Sequence, residues 1–326
     1  MDSKKPLVQV EHLKQYFPVA GRRGAFVHAV EDVSFEIAEG ETFGLVGESG
    51  CGKSTVARAI VRLNEPTGGR ILLDGEDITH MNQKQLIPAR RKMQMVFQDP
   101  YSSLNGRMPV HEILSEPLIA AGLGQNRKEM EQRCREALDM VNLSQDSLHR
   151  YPHEFSGGQR QRICIARALM VNPSFLICDE AISALDVSIQ AQIVNMLSEF
   201  QKERGLTYLF IAHDLSMVRY VSHRVGVMYL GNLMEVCESE EIYKNPLHPY
   251  TQGLLSSIPV ADPRYAAAHQ SGALEGEVPS PVNPPAGCPF HTRCPRATDR
   301  CRQEMPVMKE AAPDHFVKCH HIKMPG

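Results

Sequence analysis

The stretch that most constrains the fold is Gly47–Thr55, which reads G-E-S-G-C-G-K-S-T. It fits the pattern G-x-x-x-x-G-K-[ST], which is typical of loops that bind phosphate between a strand and a helix. The apolar run Thr42–Val46 precedes it and predicts a buried strand. Val56–Arg62 follows without Pro or Gly and predicts a helix. Strand, glycine loop and helix in this order predict an α/β fold with an anion site at the helix N-terminus.

The residue types of this loop suit a nucleotide. Glycines allow backbone N–H groups to surround a phosphate closely. Lys53 is expected to reach the β- and γ-phosphates, and the Ser54 hydroxyl to bind Mg²⁺. The alternative is a glycine turn with a chance lysine, which the strand and helix on either side make improbable. The predicted nucleotide-binding residues of the loop are Gly47, Glu48, Ser49, Gly50, Cys51, Gly52, Lys53, Ser54 and Thr55.

Composition limits the classes of protein that fit. The chain has 326 residues, of which 42% are hydrophobic and 22% are charged, enough for one large α/β domain with an appendage or for two domains. The net charge of −3 lacks the basic surplus expected of a nucleic-acid-binding protein. No secretory signal and no run of 18 apolar residues is found. We therefore expect a chain that is soluble by itself and reaches a membrane only through partners.

Acidic residues follow a second buried strand. Phe175–Cys178 predicts that strand, and Asp179 and Glu180 come directly after it. The carboxyl ends of parallel strands carry the ligands of an α/β sheet, so Asp179 fits a Mg²⁺ ligand and Glu180 a base for an attacking water. His213 follows the predicted strand Thr207–Ile211 and is expected at the same edge. A surface acidic pair and a purely structural histidine are the alternatives.

A second glycine turn suggests a second anion site. Phe155–Arg160 contains two glycines and leads into a predicted helix, Gln161–Met170, for which Ser156 fits the N-cap. Residues 108–150 are polar and helically spaced, most clearly in Arg127–Val141. They predict a helical insert between two halves of the α/β core.

These segments together resemble the nucleotide-binding subunit of an ATP-binding cassette (ABC) transporter. The resemblance runs from residue 7 to about residue 260, with every landmark in family order. The landmarks are the Walker A loop 47–55, the Q-loop residue Gln98, the signature Ser156, Gly157, Gly158 and Gln159, the Walker B residues Asp179 and Glu180, the D-loop 183–186 with Asp186, and the switch residue His213.

The resemblance implies a fold and a mechanism. It implies a P-loop α/β fold with a RecA-like core, an antiparallel β subdomain and a helical subdomain at about residues 100–165. ATP is expected between the Walker A loop of one subunit and the signature of another. Family spacing favours Phe17 over Tyr16 as the residue that stacks on adenine. Gln98 is implied as a catalytic residue and, with Ser54 and Asp179, as a Mg²⁺ ligand.

Two positions depart from the family pattern. Phe155 opens the signature where Leu is common, which is an apolar exchange that the site should tolerate. Ala181-Ile182 follows Glu180 where the family usually has Pro-Thr or Pro-Val. The missing proline could loosen the turn, but the catalytic pair is intact, so we expect a competent site.

Three further segments resemble the dipeptide and oligopeptide importer subfamily, namely 98–105, 151–156 and Asn245–Thr251. Within it the chain looks more like the second, F-type cassette. The subfamily implies a heterodimer with a second homologous ATPase, two transmembrane permeases and an extracytoplasmic substrate-binding protein, at the cytoplasmic face of the inner membrane. Nickel importers share much of the pattern and remain an alternative. A DNA- or ribosome-acting cassette is disfavoured because sustained heptads and a basic surplus are absent.

The predicted domains are the cassette, 1–258, and a Pro-rich C-terminal extension, 259–326, expected to form a small irregular lobe. The extension carries Cys288, Cys294, Cys301 and Cys319. Their spacing is not that of a zinc ribbon and is compatible with a [4Fe–4S] cluster, which the subfamily resemblance also suggests. Zinc and four unmetallated or disulfide-linked cysteines remain alternatives.

Overall fold

A computed structural model describes residues 5–124, 126–183, 185–213, 215–257 and 276–322. The chain divides into two compact units, each assembled from separate segments. The first unit comprises Met1–Leu7, Ile37–Glu41 and Leu73–Ile211. The second comprises Val8–Glu36, Thr42–Leu72 and Ala212–Gly326. The predicted domains 1–258 and 259–326 divide the chain into two consecutive ranges, unlike these units, and they stay a prediction.

Strands and helices are interspersed along the chain, with three strands at its start and a run of helices between the strands Met93–Val96 and Phe175–Asp179. The strands of the described residues are β1 (Pro6–Pro18), β2 (Phe26–Ala38), β3 (Thr42–Val46), β4 (Gly68–Leu73), β5 (Glu76–Asp77), β6 (Met93–Val96), β7 (Phe175–Asp179), β8 (Thr207–Ala212), β9 (Arg224–Tyr229), β10 (Asn232–Glu238), β11 (Lys309–Ala312) and β12 (His315–Val317). Their helices are α1 (Lys53–Ile60), α2 (Leu86–Lys92), α3 (Pro100–Ser103), α4 (Val110–Ala120), α5 (Arg127–Met140), α6 (Gly157–Leu169), α7 (Val187–Arg204), α8 (Leu215–Val221), α9 (Ser239–Lys244), α10 (Pro249–Ser256) and α11 (Asp299–Gln303), with short 3-10 helices at Gln145–His149 and Pro152–Glu154.

The first unit contains a parallel sheet and a helical insert. Strand β7 lies between β6 and β8 and runs parallel to both, with Phe175 opposite Met93 on one side and Thr207 on the other. All five residues of β7 are buried, as expected for a strand covered on both faces. Helices α4 and α5 lie within the insert predicted from the helical spacing of residues 108–150, and they pack on each other and on α6.

The second unit contains a mixed sheet with the strand order β4-β1-β2-β10-β9-β3. Strand β3 runs parallel to β9, and β9 runs antiparallel to β10. The C-terminal region adds a hairpin, since β12 pairs with β10 and with β11. This part of the extension is more regular than the sequence led us to expect, because the buried His315 and Val317 pack on the cassette sheet.

Predicted and observed element bounds agree best where apolar residues decide them. Strand β3 has the predicted bounds Thr42–Val46, and α7 has those that the sequence predicts for the helix after the D-loop, Val187–Arg204. Helix α1 begins at Lys53 rather than Val56, and α6 begins at Gly157 rather than Gln161. Both helices therefore begin inside a glycine motif: α1 starts directly after its N-cap Gly52, and α6 includes two glycines despite their low helix propensity.

A buried carboxylate fixes the segment before α10. Glu235 is fully buried and accepts hydrogen bonds from the backbone N–H groups of Leu247 (2.7 Å) and His248 (3.0 Å). Its Oε1 also lies 2.7 Å from Nε2 of His315 in β12. One buried acid thus connects β10, the segment leading to α10 and the C-terminal hairpin.

His248 makes the stability of this region depend on pH. Its side chain is 1% exposed, and its Nδ1 accepts a hydrogen bond from the N–H of Tyr250, 3.0 Å away. Burial lowers the pKa of His248 to about 4, against an opposing effect of Glu235. The unfolded chain therefore binds a proton between pH 6.5 and about 4 that the folded chain does not. This difference costs about 3 kcal/mol of stability as the pH falls through that window.

We expect His248→Asn to remove this pH dependence, because Asn also serves as a helix N-cap but does not titrate. The measurement is urea unfolding of both proteins at several pH values between 7 and 4. Their free energies of unfolding should converge as the pH falls. His80→Asn, at an exposed position, is the control and should follow the wild type. Parallel curves for wild type and His248→Asn would contradict the assignment.

Candidate functional site

The glycine loop of the second unit connects β3 to α1. Gly52 is the N-cap of α1 and has φ 108°, in the left-handed region that favours glycine. A Cβ at Gly52 would lie 2.2 Å from the carbonyl oxygen of Ala29, and one at Gly47 would lie 2.2 Å from that of Met228. These glycines are required because the loop passes directly against neighbouring backbone.

Lys53 lies at the start of α1 and is almost completely buried. Its Nζ donates to the carbonyl oxygens of Gly47 (2.7 Å) and Glu48 (3.0 Å), and it lies 3.6 Å from Sγ of Cys51. The ammonium group is thus held inside the loop by neutral acceptors. A helix N-terminus together with a buried cation is an arrangement that favours anions such as phosphate.

The acidic residues of the first unit lie at the end of β7. Asp179 is 2% exposed and ends the strand, and Glu180 follows with φ 47°. Gln98 follows the neighbouring strand β6, and its Nε2 donates to Oε2 of Glu180 at 2.7 Å. The parallel pairing of β6 and β7 therefore brings together two residues that are 82 positions apart in sequence. A carboxylate oriented by an amide in this way could act as a base.

The signature segment Ser156–Gln159 begins α6 in the same unit. Ser156 is the N-cap of α6, the position predicted for it, and it forms a capping box with Gln159. A Cβ at Gly158 would lie 2.7 Å from Cγ2 of Ile189 in α7, so glycine allows close packing. A cavity of ≈ 970 Å³ borders this helix N-terminus and is lined by Ser156, Gly157, Gly158, Gln159, Leu185 and Asp186, among others.

The aromatic residues before the first loop have different surroundings. Tyr16 donates to Oε1 of Glu31 at 2.8 Å, and its ring centroid lies 4.4 Å from that of His28. Phe17 is half-buried in β1. Tyr16 therefore already has polar and aromatic partners in the protein, which is compatible with the choice of Phe17 as the adenine-stacking residue. His213 directly follows β8 and is exposed.

The four C-terminal cysteines all have free thiols. Cys288 and Cys301 are buried, and Cys294 and Cys319 are half-buried. Burial and, to a smaller extent, the Cys301, Cys319 and Cys294 thiols raise the pKa of Cys288 to about 11. Across the described ranges, no group of three or more His, Cys, Asp or Glu side chains is placed to hold a single metal ion.

Two residues near the phosphate loop were not predicted as site residues. The hydroxyl of Tyr250 accepts from the N–H of Glu48 at 3.0 Å, and Arg293 binds the Glu48 carboxylate. Tyr250 belongs to the 245–251 segment used for the subfamily resemblance, but no loop contact could be inferred from it. Arg293 has no sequence signal besides its position next to Cys294. Among the described residues, no helix is both long and apolar enough to cross a membrane.

Comparison with protein-family models identifies two regions. The family described as "ABC transporter" matches residues 30–183. The family described as "Oligopeptide/dipeptide transporter, C-terminal region" matches residues 234–301. The second match includes the buried Glu235, the segment leading to α10 and three of the four C-terminal cysteines.

Similar proteins cover nearly the whole chain. A putative oligopeptide transport ATP-binding protein of Bacillus subtilis, YkfD, is 54% identical over 97% of this chain and 95% of its own length. The oligopeptide transport ATP-binding protein AppF of the same species is 52% identical over 98% of both chains. A putative peptide import ATP-binding protein of Brucella ovis is 49% identical over 97% of this chain and 98% of its own length.

Solved structures agree with these matches. The ATP-binding cassette MJ0796, solved as a dimer with ADP and Pi, has a TM-score of 0.65 and 29% identity over 71% of this chain and 98% of its own. CbiO1 from Clostridium perfringens has a TM-score of 0.66 and 26% identity over 82% of this chain and all of its own. The predicted ABC cassette fold is therefore confirmed. The chain belongs to the ABC transporter family of ATPases, in the group of ATP-binding proteins with the oligopeptide/dipeptide transporter C-terminal region.

Proposed function

We propose that this chain is the ATP-hydrolysing subunit that powers import of dipeptides or oligopeptides through membrane permeases. The carrying observation is the match of residues 234–301 to the oligopeptide/dipeptide transporter C-terminal region. Relatives at 49–54% identity, named as oligopeptide transport or peptide import ATP-binding proteins, support the same substrate class. The likeness to AppF supports the F-type assignment.

For binding, we assign the phosphates of ATP to residues 47–55. The glycines at both ends of the loop admit no Cβ, and Lys53 Nζ rests on two carbonyl oxygens that it can exchange for phosphate oxygens. Ser54, Gln98 and Asp179 are the residues proposed to hold Mg²⁺, which neutralises phosphate charge when bound. Phe17 is proposed to stack on adenine.

For hydrolysis, we assign the base to Glu180. Gln98 orients its carboxylate through the 2.7 Å hydrogen bond, and His213 is proposed as the switch residue that also acts in hydrolysis. The Glu180 carboxylate accepts the proton of the attacking water as that water approaches the terminal phosphate. The buried Asp179 supplies a fixed negative charge for the cation.

The signature segment is proposed to complete the site of a partner cassette. Its α6 N-terminus carries the positive end of a helix dipole and borders an open cavity with Asp186 of the D-loop. We propose a heterodimer with a second homologous ATPase, on two permeases at the cytoplasmic face of the cell membrane. An extracytoplasmic binding protein is proposed to deliver the peptide.

The test is transport by the assembled complex. The chain would be co-expressed with candidate permeases and a second cassette, reconstituted in vesicles, and supplied with a binding protein. We expect ATP-dependent uptake of labelled dipeptides or tetrapeptides and none without ATP. Uptake of ⁶³Ni²⁺ in place of peptides would contradict the peptide assignment and support the nickel alternative.

We also propose that the four C-terminal cysteines hold a [4Fe–4S] cluster. The Cys288 N–H donates to the carbonyl of Cys301 at 2.8 Å, which supports the proposal for these two of the four cysteines. Burial raises the pKa of Cys288, Cys294 and Cys319, so these three free thiols are protonated at neutral pH and would have to lose their protons to a bound metal. When bound, such a cluster would cross-link a region with little hydrophobic core of its own.

The expected result is about four irons and four acid-labile sulfides per chain after purification without oxygen. Cys294→Ser should lose most of both, because one of four ligands is removed. Cys134→Ser, a buried cysteine of the helical insert, is the matched control and should keep both. Zinc without sulfide, or metal-free protein that is folded, would contradict the cluster. The measurement is metal and sulfide analysis with an absorption spectrum.

A further inference from the structure

The phosphate loop of the second unit is held by an arginine of the C-terminal region. Arg293 Nη1 donates to Oε2 of Glu48 at 2.6 Å, and Nη2 donates to Oε1 at 3.0 Å. The Arg293 side chain is 4% exposed and that of Glu48 is 27% exposed. Bidentate arginine–carboxylate pairs are among the stronger hydrogen-bonded contacts in proteins, and burial protects this one from salt screening.

Arg293 is itself fixed by an aromatic cluster. Its backbone N–H donates to the carbonyl of Phe290 at 3.0 Å, and Phe290 is fully buried. The Phe290 ring centroid lies 5.3 Å from those of both Tyr229 and Tyr250. The guanidinium carbon lies 5.8 Å from the centroid of the Tyr229 ring. The arginine is therefore presented to the loop in a rigid position.

The same cluster holds the backbone of Glu48. The Tyr250 hydroxyl accepts from the Glu48 N–H at 3.0 Å, while the Glu48 carbonyl accepts from Lys53 Nζ at 3.0 Å. Glu48 is thus bound through its N–H, its carbonyl and its carboxylate. A displacement of this residue would change the position of the lysine that is assigned to the phosphates.

The charge of Glu48 makes the arginine necessary. The ligand of this loop is a polyanion, so a carboxylate in the loop repels it. At an effective dielectric constant near 20, this repulsion is still substantial when the charges are several ångströms apart. Arg293 neutralises the carboxylate and holds it in a fixed place. Without Arg293, the loop would have an unpaired, mobile negative charge close to its ligand.

We propose that Arg293 is a positioning residue of the ATP site, so that the C-terminal region takes part in nucleotide binding by its own chain. The proposal rests on the assignment of residues 47–55 as the ATP-phosphate loop. Arg293 directly precedes Cys294 in sequence. The cysteine-containing region would therefore support nucleotide binding in addition to any metal binding.

The test is a double-mutant cycle read out as the Kd for ATP, measured by calorimetry on the full-length chain. We expect Arg293→Met to raise Kd about tenfold, because Glu48 becomes an unpaired charge. In a Glu48→Gln background the same change should alter Kd less than about twofold, because no carboxylate remains to be neutralised. Arg300→Met is the matched control, since it breaks an exposed pair with Glu304 in the same region.

The cycle separates positioning from general destabilisation. The proposal would be overturned if Arg293→Met weakened ATP binding equally in the wild-type and Glu48→Gln proteins, or if folded Arg293→Met had an unchanged Kd for ATP. If Arg293→Met does not fold, Arg293→Lys keeps the charge without the bidentate contact. We expect Arg293→Lys to raise the Kd for ATP about threefold, and we expect no such rise in the Glu48→Gln protein. A wild-type chain that binds no ATP would refute the loop assignment itself, which is a different result.

Discussion

Replacing Glu180 by Gln is expected to lower the rate of ATP hydrolysis by the assembled transporter by about 10²–10⁴-fold and to leave ATP affinity within about threefold. Gln is close in size to Glu and still accepts the hydrogen bond from Gln98, but it cannot take a proton from water. The loss should therefore fall on kcat rather than on KM. The measurement is phosphate release by the purified complex, with ATP binding measured separately.

The control for this prediction is Glu136→Gln, in α5 of the same unit. Glu136 is exposed and accepts a hydrogen bond from Nε2 of Gln132, its neighbour on the same helix, at 2.9 Å. The transporter with Glu136→Gln should hydrolyse ATP at the wild-type rate. Undiminished turnover by Glu180→Gln would show that the base is another residue. A rise in KM with unchanged kcat would show that Glu180 serves binding.

The backbone at Glu180 suggests why this position is suited to a reacting group. A left-handed conformation costs a non-glycine residue roughly 1–2 kcal/mol. Here the Glu180 N–H donates to the carbonyl of Ile211 at 3.0 Å, and the Glu180 carbonyl accepts from Ser183. These bonds hold the turn although Ala181 replaces the proline usual in the family. A competent site despite the missing proline stays a prediction.

Local sequence predicted the parts of the fold that local chemistry decides. The buried strand Thr42–Val46 could be bounded because four of its five residues are apolar or β-forming and the strand ends at Gly47. Helix α7 could be bounded because Gly205, with φ 65°, provides a left-handed C-cap. The start of α1 could not, since Lys53 and Ser54 read equally well as the end of the glycine loop.

Contacts between distant segments could not be predicted. Arg293 and Glu48 are 245 residues apart, and His315 and Glu235 are 80 apart. In each case both residue types are common on protein surfaces, so neither position indicates a buried partner. The pairs depend on the packing of the C-terminal region, which a single sequence with many prolines does not define.

Replacing Gly52 by Ala is expected to reduce ATP affinity by about 100-fold or more and to lower the free energy of unfolding by about 3 kcal/mol. The new Cβ would lie 2.2 Å from the Ala29 carbonyl oxygen, and the residue would have to keep φ 108°. The obstacle is backbone, so the start of α1 must move. Lys53 is the next residue and would move with it. Calorimetry with ATP and urea unfolding without it measure the two effects.

Gly50→Ala separates the two physical causes, because it imposes the conformational strain without the collision. Gly50 also has a positive φ, 77°, but nothing lies within 4 Å of a Cβ placed there. It should therefore lose only about 1–2 kcal/mol of stability. If Gly52→Ala were as stable as Gly50→Ala, the Ala29 carbonyl would have moved away from the new Cβ at little cost. The loop would then depend on the glycine conformation and not on the close approach of the Ala29 backbone.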